Sequence, residues 1–346
     1  MAHKVSMQQI ADSLGVSKYT VSRSLAGKSG VSLETRARVL EVARTMGYRS
    51  RAPIDEITPI MKPIDGLGDP PYVLIWIRAD HRSEGLFWGK VLSGMLEGCK
   101  RQGWNHVIMA VESGETVAEG IPAYLDPAHC VGHLIAGELP SALLLTLSRK
   151  GLPMVLVDHE ESALSVDCIV NANMQGGRWL TARMLQAGCT SLLFVGHDAF
   201  SVSFKERWFG CKLEMQEAGK RAEVALRKWS IPYGARNWQA VLERKLEQLT
   251  EKEWPHAILG ANDDIALHCL SILDKLSMAV PAQCKVAGFD NIETAALSRP
   301  ALTTVDFGKE FLGYRAVEQL RRRMEHPGQL TEKITISARI VCRVSG

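Results

Sequence analysis

Lys18, Tyr19, Thr20, Ser22 and Arg23 fall within six consecutive residues, and each side chain ends in a hydrogen-bond donor. Ser17 before them is a good N-cap, so they open a helix that follows a tight turn. Donors set out in this way suit contacts to the phosphates and base edges of duplex DNA.

Other chemistries leave weaker traces. Gly85-Leu86-Phe87-Trp88-Gly89-Lys90 has three bulky residues between its glycines, where a phosphate loop requires four. No GxGxxG follows a strand, there is no GxSxG elbow, and His159-Glu160-Glu161 lacks the second histidine of a zinc-protease helix. His129 and His133, the closest pair among ten histidines, have no glutamate between them. The eight cysteines are scattered without a CxxC pair or a zinc spacing, and read as reduced thiols of a cytosolic protein. No catalytic residue, cofactor or metal is therefore expected.

The donors need a scaffold, and residues 6–48 supply one. A first helix runs from Ser6 to about Leu14, opened by Ser6 and Gln9 in a reciprocal cap, with Met7, Ile10, Ala11 and Leu14 on one face and Gly15 as its stop. The second turns Val21 and Leu25 inward, one turn apart. Gly27 and Gly30 bracket a loop, and Ser32 caps a third helix in which Val39, Leu40, Ala43 and Met46 recur at helical spacing up to Gly47 and Tyr48.

Charge follows the same division. Residues 1–50 hold eight Lys/Arg against three Asp/Glu, a net of +5, and the remainder holds 33 against 35, a net of −2; together they give the +3 of the chain. The basic end is the polyanion-facing end, and affinity there should fall steeply with salt. No apolar run approaches the roughly 20 residues that span a bilayer, so no membrane partner is expected.

Between Arg49 and Pro71 the chain becomes a linker. Pro53, Pro59, Pro63, Pro70 and Pro71 punctuate it, with Gly66 and Gly68, so no long helix runs through. From Tyr72 on, short apolar runs alternate with amphipathic segments. Val73–Ile77, His106–Val111, His133–Ala136 and Met154–Val157 read as buried strands, with Phe87–Gln102 and Pro140–Lys150 at helical spacing between them. A second series follows at Ser191–Val195, Ala222–Lys228, Ala257–Gly260 and Lys285–Phe289, with late strands near Leu302–Asp306 and Ile334–Val344. The alternation predicts an α/β fold of two lobes, each a doubly wound parallel sheet covered on both faces. Ligands of such folds sit beyond the carboxyl ends of the strands, and a cleft between two lobes is a natural closing site.

The segment MQQIADSLGVSKYTVSRSLAGKSGVSLETRARVLEVARTMGY, Met7 to Tyr48, resembles without gaps the N-terminal headpiece of the LacI/GalR family of bacterial transcription regulators. The resemblance implies that the second helix lies in the major groove. Lys18, Tyr19 and Arg23 match base-reading positions, and Thr20 and Ser22 match positions nearer the backbone. A bidentate pairing of Arg23 with guanine would discriminate by about 1–3 kcal/mol. Relatives carry a hinge helix after the headpiece that pushes a leucine into the minor groove. Residues 49–60 contain no leucine; Ile54 or Ile57 stands as the substitute wedge, against the alternative of a plain tether.

Over the body the resemblance continues through Asn173–Gly177 and its helix, Ser203–Gly210, Gly260–Leu267, Val286–Asp290 and LTTVDF at 302–307. It implies a periplasmic-binding-protein-like fold whose chain crosses between lobes three times. The expected division is a headpiece at 1–50, a hinge at 51–71 and a bilobed effector-binding and dimerisation domain at 72–346. The first lobe takes about 72–172 plus 303–323, and the second about 173–302 plus 324–346. Arg207 matches an arginine that grips ligand oxygens. Asn262 and Asp290 match an amide and a carboxylate at strand ends, Asp158 a polar contact of the first lobe, and Phe87 or Trp88, with Trp238, aromatic rings that stack on the ligand. Where many relatives have an aspartate before the Gly-Gly helix, this chain has Asn171-Ala172-Asn173.

These features lead to one expectation: a homodimeric, cytoplasmic repressor that binds a near-palindromic operator under the control of a small polar effector, a sugar or sugar acid. A purine-type co-repressor is the variant reading. A sugar-binding or sugar-modifying protein with a vestigial headpiece is the competing class.

Overall fold

Ser6 and Gln9 start the first helix as their spacing predicts. The Ser6 amide donates to Gln9 Oε1 at 2.8 Å and the Gln9 amide to Ser6 Oγ at 3.4 Å, so two orphan donors are satisfied at once. This helix, α1 (Met7–Leu14), ends at Gly15 in the left-handed region at φ 65°. Ser17 Oγ accepts the Thr20 amide at 3.0 Å and caps α2 (Lys18–Leu25). Ser32 Oγ likewise accepts the Thr35 amide at 3.1 Å at the head of a third helical segment. Ile10, Ala11, Val21, Val39 and Ala43 pack together as the core of these helices.

The structure is a computed structural model that describes residues 6–25, 31–32, 35, 38–39, 42–43, 70–83, 85–112, 125–219 and 223–346. It divides into two units, Met1–Gly68 and Asp69–Gly346. Gly27, Gly30, Leu40, Met46 and the wedge candidates Ile54 and Ile57 lie outside the described residues.

The second unit is built from two six-stranded sheets. In the first, β1 (Tyr72–Arg78), β2 (Asn105–Val111), β3 (Cys130–Ala136), β4 (Met154–Val157), β5 (Asp167–Asn171) and β11 (Lys333–Ile336) lie parallel in the order β11-β5-β4-β3-β1-β2. In the second, β6 (Ser191–Gly196), β7 (Ala225–Ser230), β8 (Ala257–Gly260), β9 (Lys285–Phe289), β10 (Thr303–Asp306) and β12 (Arg339–Val341) take the order β12-β10-β9-β8-β6-β7, antiparallel only at the β10–β12 pair. Central strands such as β4 and β8 are buried at every residue, as a parallel sheet with helices on both faces demands. Short helices α3 (Ala79–Ser83), α5 (Ser141–Ser148) and α10 (Glu293–Leu297) lie between strands along the chain.

Each lobe closes one face with a pair of helices that meet at glycines. In the first, α4 (Trp88–Gln102) packs on α11 (Lys309–Glu325). A Cβ on Gly94 would lie 1.9 Å from the Glu310 carbonyl oxygen, and one on Gly313 2.0 Å from that of Val91. In the second, α6 (Asn173–Gln186) packs on α7 (Val202–Gly219). There Gly177 would meet the Arg207 carbonyl oxygen at 2.3 Å and Gly210 that of Met174 at 2.0 Å. Only glycine lets the backbones approach this closely.

The chain crosses between the lobes three times: at Ala172 from β5 to α6, at Phe307-Gly308 from β10 to α11, and at Ser337-Ala338 from β11 to β12. Two assignments made from the sequence are corrected. Thr303–Asp306 belongs to the second sheet and not the first, so the return begins at α11; and the run Ile334–Val344 is not one strand but two, β11 in the first sheet and β12 in the second. A bend of two residues inside a run that mixes Ile and Val with Thr, Ser and Arg carries no periodic signal, so only pairing partners reveal it. Strand β5 also went unanticipated: Asp167-Cys168-Ile169-Val170-Asn171 is too short and too polar at its ends to stand out.

Candidate effector cleft and nucleic-acid interface

Carboxyl ends of strands from both sheets face a cavity of about 380 Å³. Its wall takes Arg78 from the end of β1, Gly137 and Glu138 after β3, Asp158 after β4, Tyr233 beyond β7, Asn262 after β8 and Asp290 after β9, with Phe200 to Phe204 leading into α7. Placement beyond the strand ends follows from the doubly wound topology, where loops diverge and leave a crevice.

Arg207, on the second turn of α7, is the pivot. It is 2% exposed, and each of its three nitrogens donates to the protein. Nε donates to Asn173 Oδ1 at 3.0 Å, Nη1 to the Ala261 carbonyl at 2.8 Å, and Nη2 to Asp290 Oδ1 at 2.7 Å. The Phe289 and Phe307 rings lie 5.0 and 4.9 Å from its guanidinium carbon, within cation–π range. A guanidinium this deep is tolerable only when paired and hydrogen-bonded in this way.

Asp158 adopts φ 56° and carries its carboxylate to the opposite lobe. It accepts from Asn171 Nδ2 at 2.9 Å and from Ser203 Oγ at 3.3 Å. Burial pushes its pKa up to about 7; Asp290 adds to the rise, while Arg207 and the two hydrogen bonds oppose it. Asn171 and Asn173, the pair that departs from the family pattern, thus hold Asp158 and Arg207 respectively.

Asn262 caps α9 (Asp263–Lys275) by accepting the Ile265 amide at 3.0 Å, and its Nδ2 donates to Tyr233 Oη at 2.8 Å. Tyr233 in turn donates to Asp264 Oδ2 at 3.1 Å. Asp263 faces inward, 1% exposed, and binds Thr304 Oγ1 at 2.6 Å and the Ile292 amide at 3.0 Å. Burial lifts its pKa to about 8, helped by Asp290.

Asp290 and Asn291 both have positive φ, 100° and 47°. This turn is tied down from several sides. Lys309, 6% exposed, donates to the carbonyls of both residues. Thr304 Oγ1 accepts the Asn291 amide at 3.2 Å, and Arg343 Nη2 reaches Asn291 Oδ1 at 2.7 Å. Such cross-bracing holds non-glycine residues in a costly conformation.

Of the seven cleft residues expected from the sequence, Phe87, Trp88, Asp158, Arg207, Asn262 and Asp290 line the cavity. Trp238 does not. It opens α8 (Trp238–Glu247) with its indole turned into the core of the second lobe, 5.1 Å from the Tyr233 ring and 5.2 Å from His268. The aromatic wall on that side is instead Phe200, Phe204 and Tyr233, in mutual contact at 4.7 to 5.5 Å. Sequence reasoning missed these three, and Ser203 and Asp263. The SVSF run before Arg207 and the carboxylate next to Asn262 were the available signals. On the first-lobe side Trp88 stacks on His81 at 4.9 Å, with Phe87 edge-on to it. Leu86, Phe87 and Trp88 point at the cavity, and His133 is a core residue accepting from Trp76 Nε1 at 3.1 Å. Among the described residues no cluster of His, Cys, Asp or Glu is arranged to hold a metal ion.

The headpiece presents the other surface. Lys18, Tyr19 and Ser22 are exposed on α2, Tyr19 at 67%, while Val21 opposite them is buried. Arg23 Nη1 donates to Tyr19 Oη at 2.6 Å, so the two larger donors form a unit one turn apart. Ser17 and Thr20 are joined by their hydroxyls at 2.8 Å and serve the cap. Among the described residues no helix is long and apolar enough to cross a membrane.

Residues 6–50 match the family described as bacterial regulatory proteins, lacI family, and residues 181–345 a periplasmic binding protein-like domain. The chain is 24% identical over 345 residues to the HTH-type transcriptional repressor PurR of Histophilus somni (strain 2336), covering 98% of each chain. It is 25% identical over 341 residues to the PurR repressor of Photobacterium profundum, again over 98% of each. Among solved structures it resembles the transcriptional regulator CelR–cellobiose complex, with a TM-score of 0.68 at 20% identity over 99% of this chain and 100% of that one. It also resembles the lac repressor dimer bound to operator and the anti-inducer ONPF, with a TM-score of 0.66 at 18% identity over 99% of both.

Proposed function

Because this chain belongs to the lacI family of bacterial regulatory proteins, we propose that it is a cytoplasmic transcriptional repressor that binds a near-palindromic operator as a homodimer and is controlled by a small polar effector in the inter-lobe cleft. Lys18, Tyr19 and Arg23 read base edges, and Ser17, Thr20 and Ser22 contact the backbone. Asp158, Asn262 and Asp290 hold the polar edge of the effector, Arg207 positions Asp290 from behind, and Phe87 and Trp88 lie against the effector's face. The relatives named above are repressors, and one neighbouring structure is a dimer on its operator, which supports the reading.

The observation that carries the proposal is the cleft itself. Asp158 of one lobe and Arg207 of the other line the same cavity, and among the described residues three crossings join the lobes covalently. A ligand touching both walls favours one lobe arrangement, and a preference of about 1.4 kcal/mol shifts the equilibrium tenfold.

Selection of operator sequences from random duplexes, with the full chain and with residues 1–60 deleted, tests this. The full chain should enrich a two-fold symmetric site that a cleft ligand strengthens or weakens, and the deletion should lose the site while keeping ligand binding. Failure to enrich any duplex over random competitor would remove the reading.

A further inference from the structure

Among the described residues, the cleft concentrates negative charge without a matching share of cations to balance it. Glu138, Asp264 and Asp290 are the charged carboxylates of a cavity that the buried carboxyls of Asp158 and Asp263 also line, and its only guanidiniums, among those lining residues, are Arg78 and Arg207. Both are already held by protein acceptors. Arg78 Nε donates to Asp80 at 3.0 Å, and Arg207 spends all three nitrogens on Asn173, Ala261 and Asp290. Glu138 and Asp264, from opposite lobes, are exposed at the cavity wall. Aromatic faces close the remaining sides, Trp88 in the first lobe and Phe200 and Tyr233 in the second.

Resting on the effector role proposed above, we propose that the cleft selects its ligand by charge. It takes a ring compound that presents hydrogen-bond donors, binds an amine-bearing ring more tightly than its neutral parent, and rejects carboxylated or phosphorylated forms. Carboxylate oxygens accept and cannot donate, so they satisfy hydroxyl or amino donors but leave an anion's oxygens without partners. An ammonium gains twice here, from the carboxylates and from the ring faces. Burial, with a smaller push from Asp290, raises the pKa of Asp158 and Asp263, so the carboxylates that discriminate by charge are Glu138, Asp264 and Asp290. This inference excludes the sugar acids that the sequence left open.

The test is a thermal-shift and calorimetric panel on the full chain. It contains glucose, galactose and mannose, each with its 2-amino-2-deoxy and uronic acid forms, together with adenosine and cytidine and their 5′-monophosphates. In each set that binds, the amine should bind about threefold or more tighter than the neutral sugar, and the acid or phosphate about tenfold or more weaker than its uncharged parent. The double variant Glu138→Gln/Asp264→Asn should shrink that penalty on the anionic form by about threefold or more. A carboxylate or phosphate binding as well as its parent, an unchanged penalty in the double variant, or a panel in which nothing binds would each overturn charge selection. A ligand that obeys the charge rule yet leaves operator affinity unchanged would instead remove the proposed effector role and leave charge selection standing.

Discussion

Ser203 Oγ donates to Asp158 Oδ2 at 3.3 Å, and with it the first turn of α7 in one lobe is joined to the end of β4 in the other. The carboxylate sits where the lobes approach each other, so its protonation state is tied to the folded arrangement.

That link has a pH signature. The folded protein holds the Asp158 proton up to about pH 7, whereas an unfolded aspartate releases it near 3.8. Between those values the unfolded state binds fewer protons, so stability falls as pH rises from about 4 to about 7 and then levels. Asp263 extends the window to about 8. Melting curves of the parent and Asp158→Asn at half-unit pH steps should show the variant gaining on the parent across this range. A constant difference between them would refute the buried, protonated carboxyl.

Arg207→Ala should destabilise the chain by about 3–5 kcal/mol, because it strands the Asp290 carboxylate and the Asn173 and Ala261 acceptors in a buried site. Arg207→Lys should recover less than half of this, since one ammonium cannot reproduce a three-way fork. Denaturant titration checks both.

Gly210→Ala should cost about 1–3 kcal/mol, since the added methyl would fall 2.0 Å from the Met174 carbonyl and force α7 off α6. Arg207 and Asn173 ride on those two helices, so ligand affinity should fall with it. Gly313→Ala makes the equivalent clash in the first lobe, 2.0 Å from the Val91 carbonyl, and should cost a similar amount of stability. Chemical unfolding and calorimetry separate the two effects.

On the headpiece, Lys18→Ala should relax preference at the base position it reads and, with one cation fewer at the DNA, also lower the slope of log affinity against log salt. Arg23→Ala should cost about 1–3 kcal/mol and relax preference at one base position per half-site. Ser17→Ala should weaken every duplex alike through loss of the α2 cap, worth about 1 kcal/mol. Fluorescence anisotropy on operator and scrambled duplexes from low to moderate salt distinguishes the three patterns.

What the sequence determined was local. The Ser6/Gln9 cap, the Gly15 stop, the Ser17 cap and the exposed donors of α2 are set by neighbours within four residues, and the strands β4, β8 and β9 are unbroken apolar runs bounded by polar ends. Arg207, Asn262, Asp290 and Asp158 were legible through the family resemblance, which assigned them by matching positions at strand ends and in the Ser203–Gly210 helix segment.

Tertiary structure decided everything that depends on partners far apart in the chain. It moved β10 to the second sheet, split the run Ile334–Val344 between both sheets, and turned Trp238 into the core while bringing Tyr233 to the cleft. It also placed Ser203 opposite Asp158 and set Lys309 beneath Asp290. Periodicity reports which face of an element is apolar. It does not report which neighbour covers that face, because the free energy of burial depends on area removed from water and not on the identity of the residues that remove it.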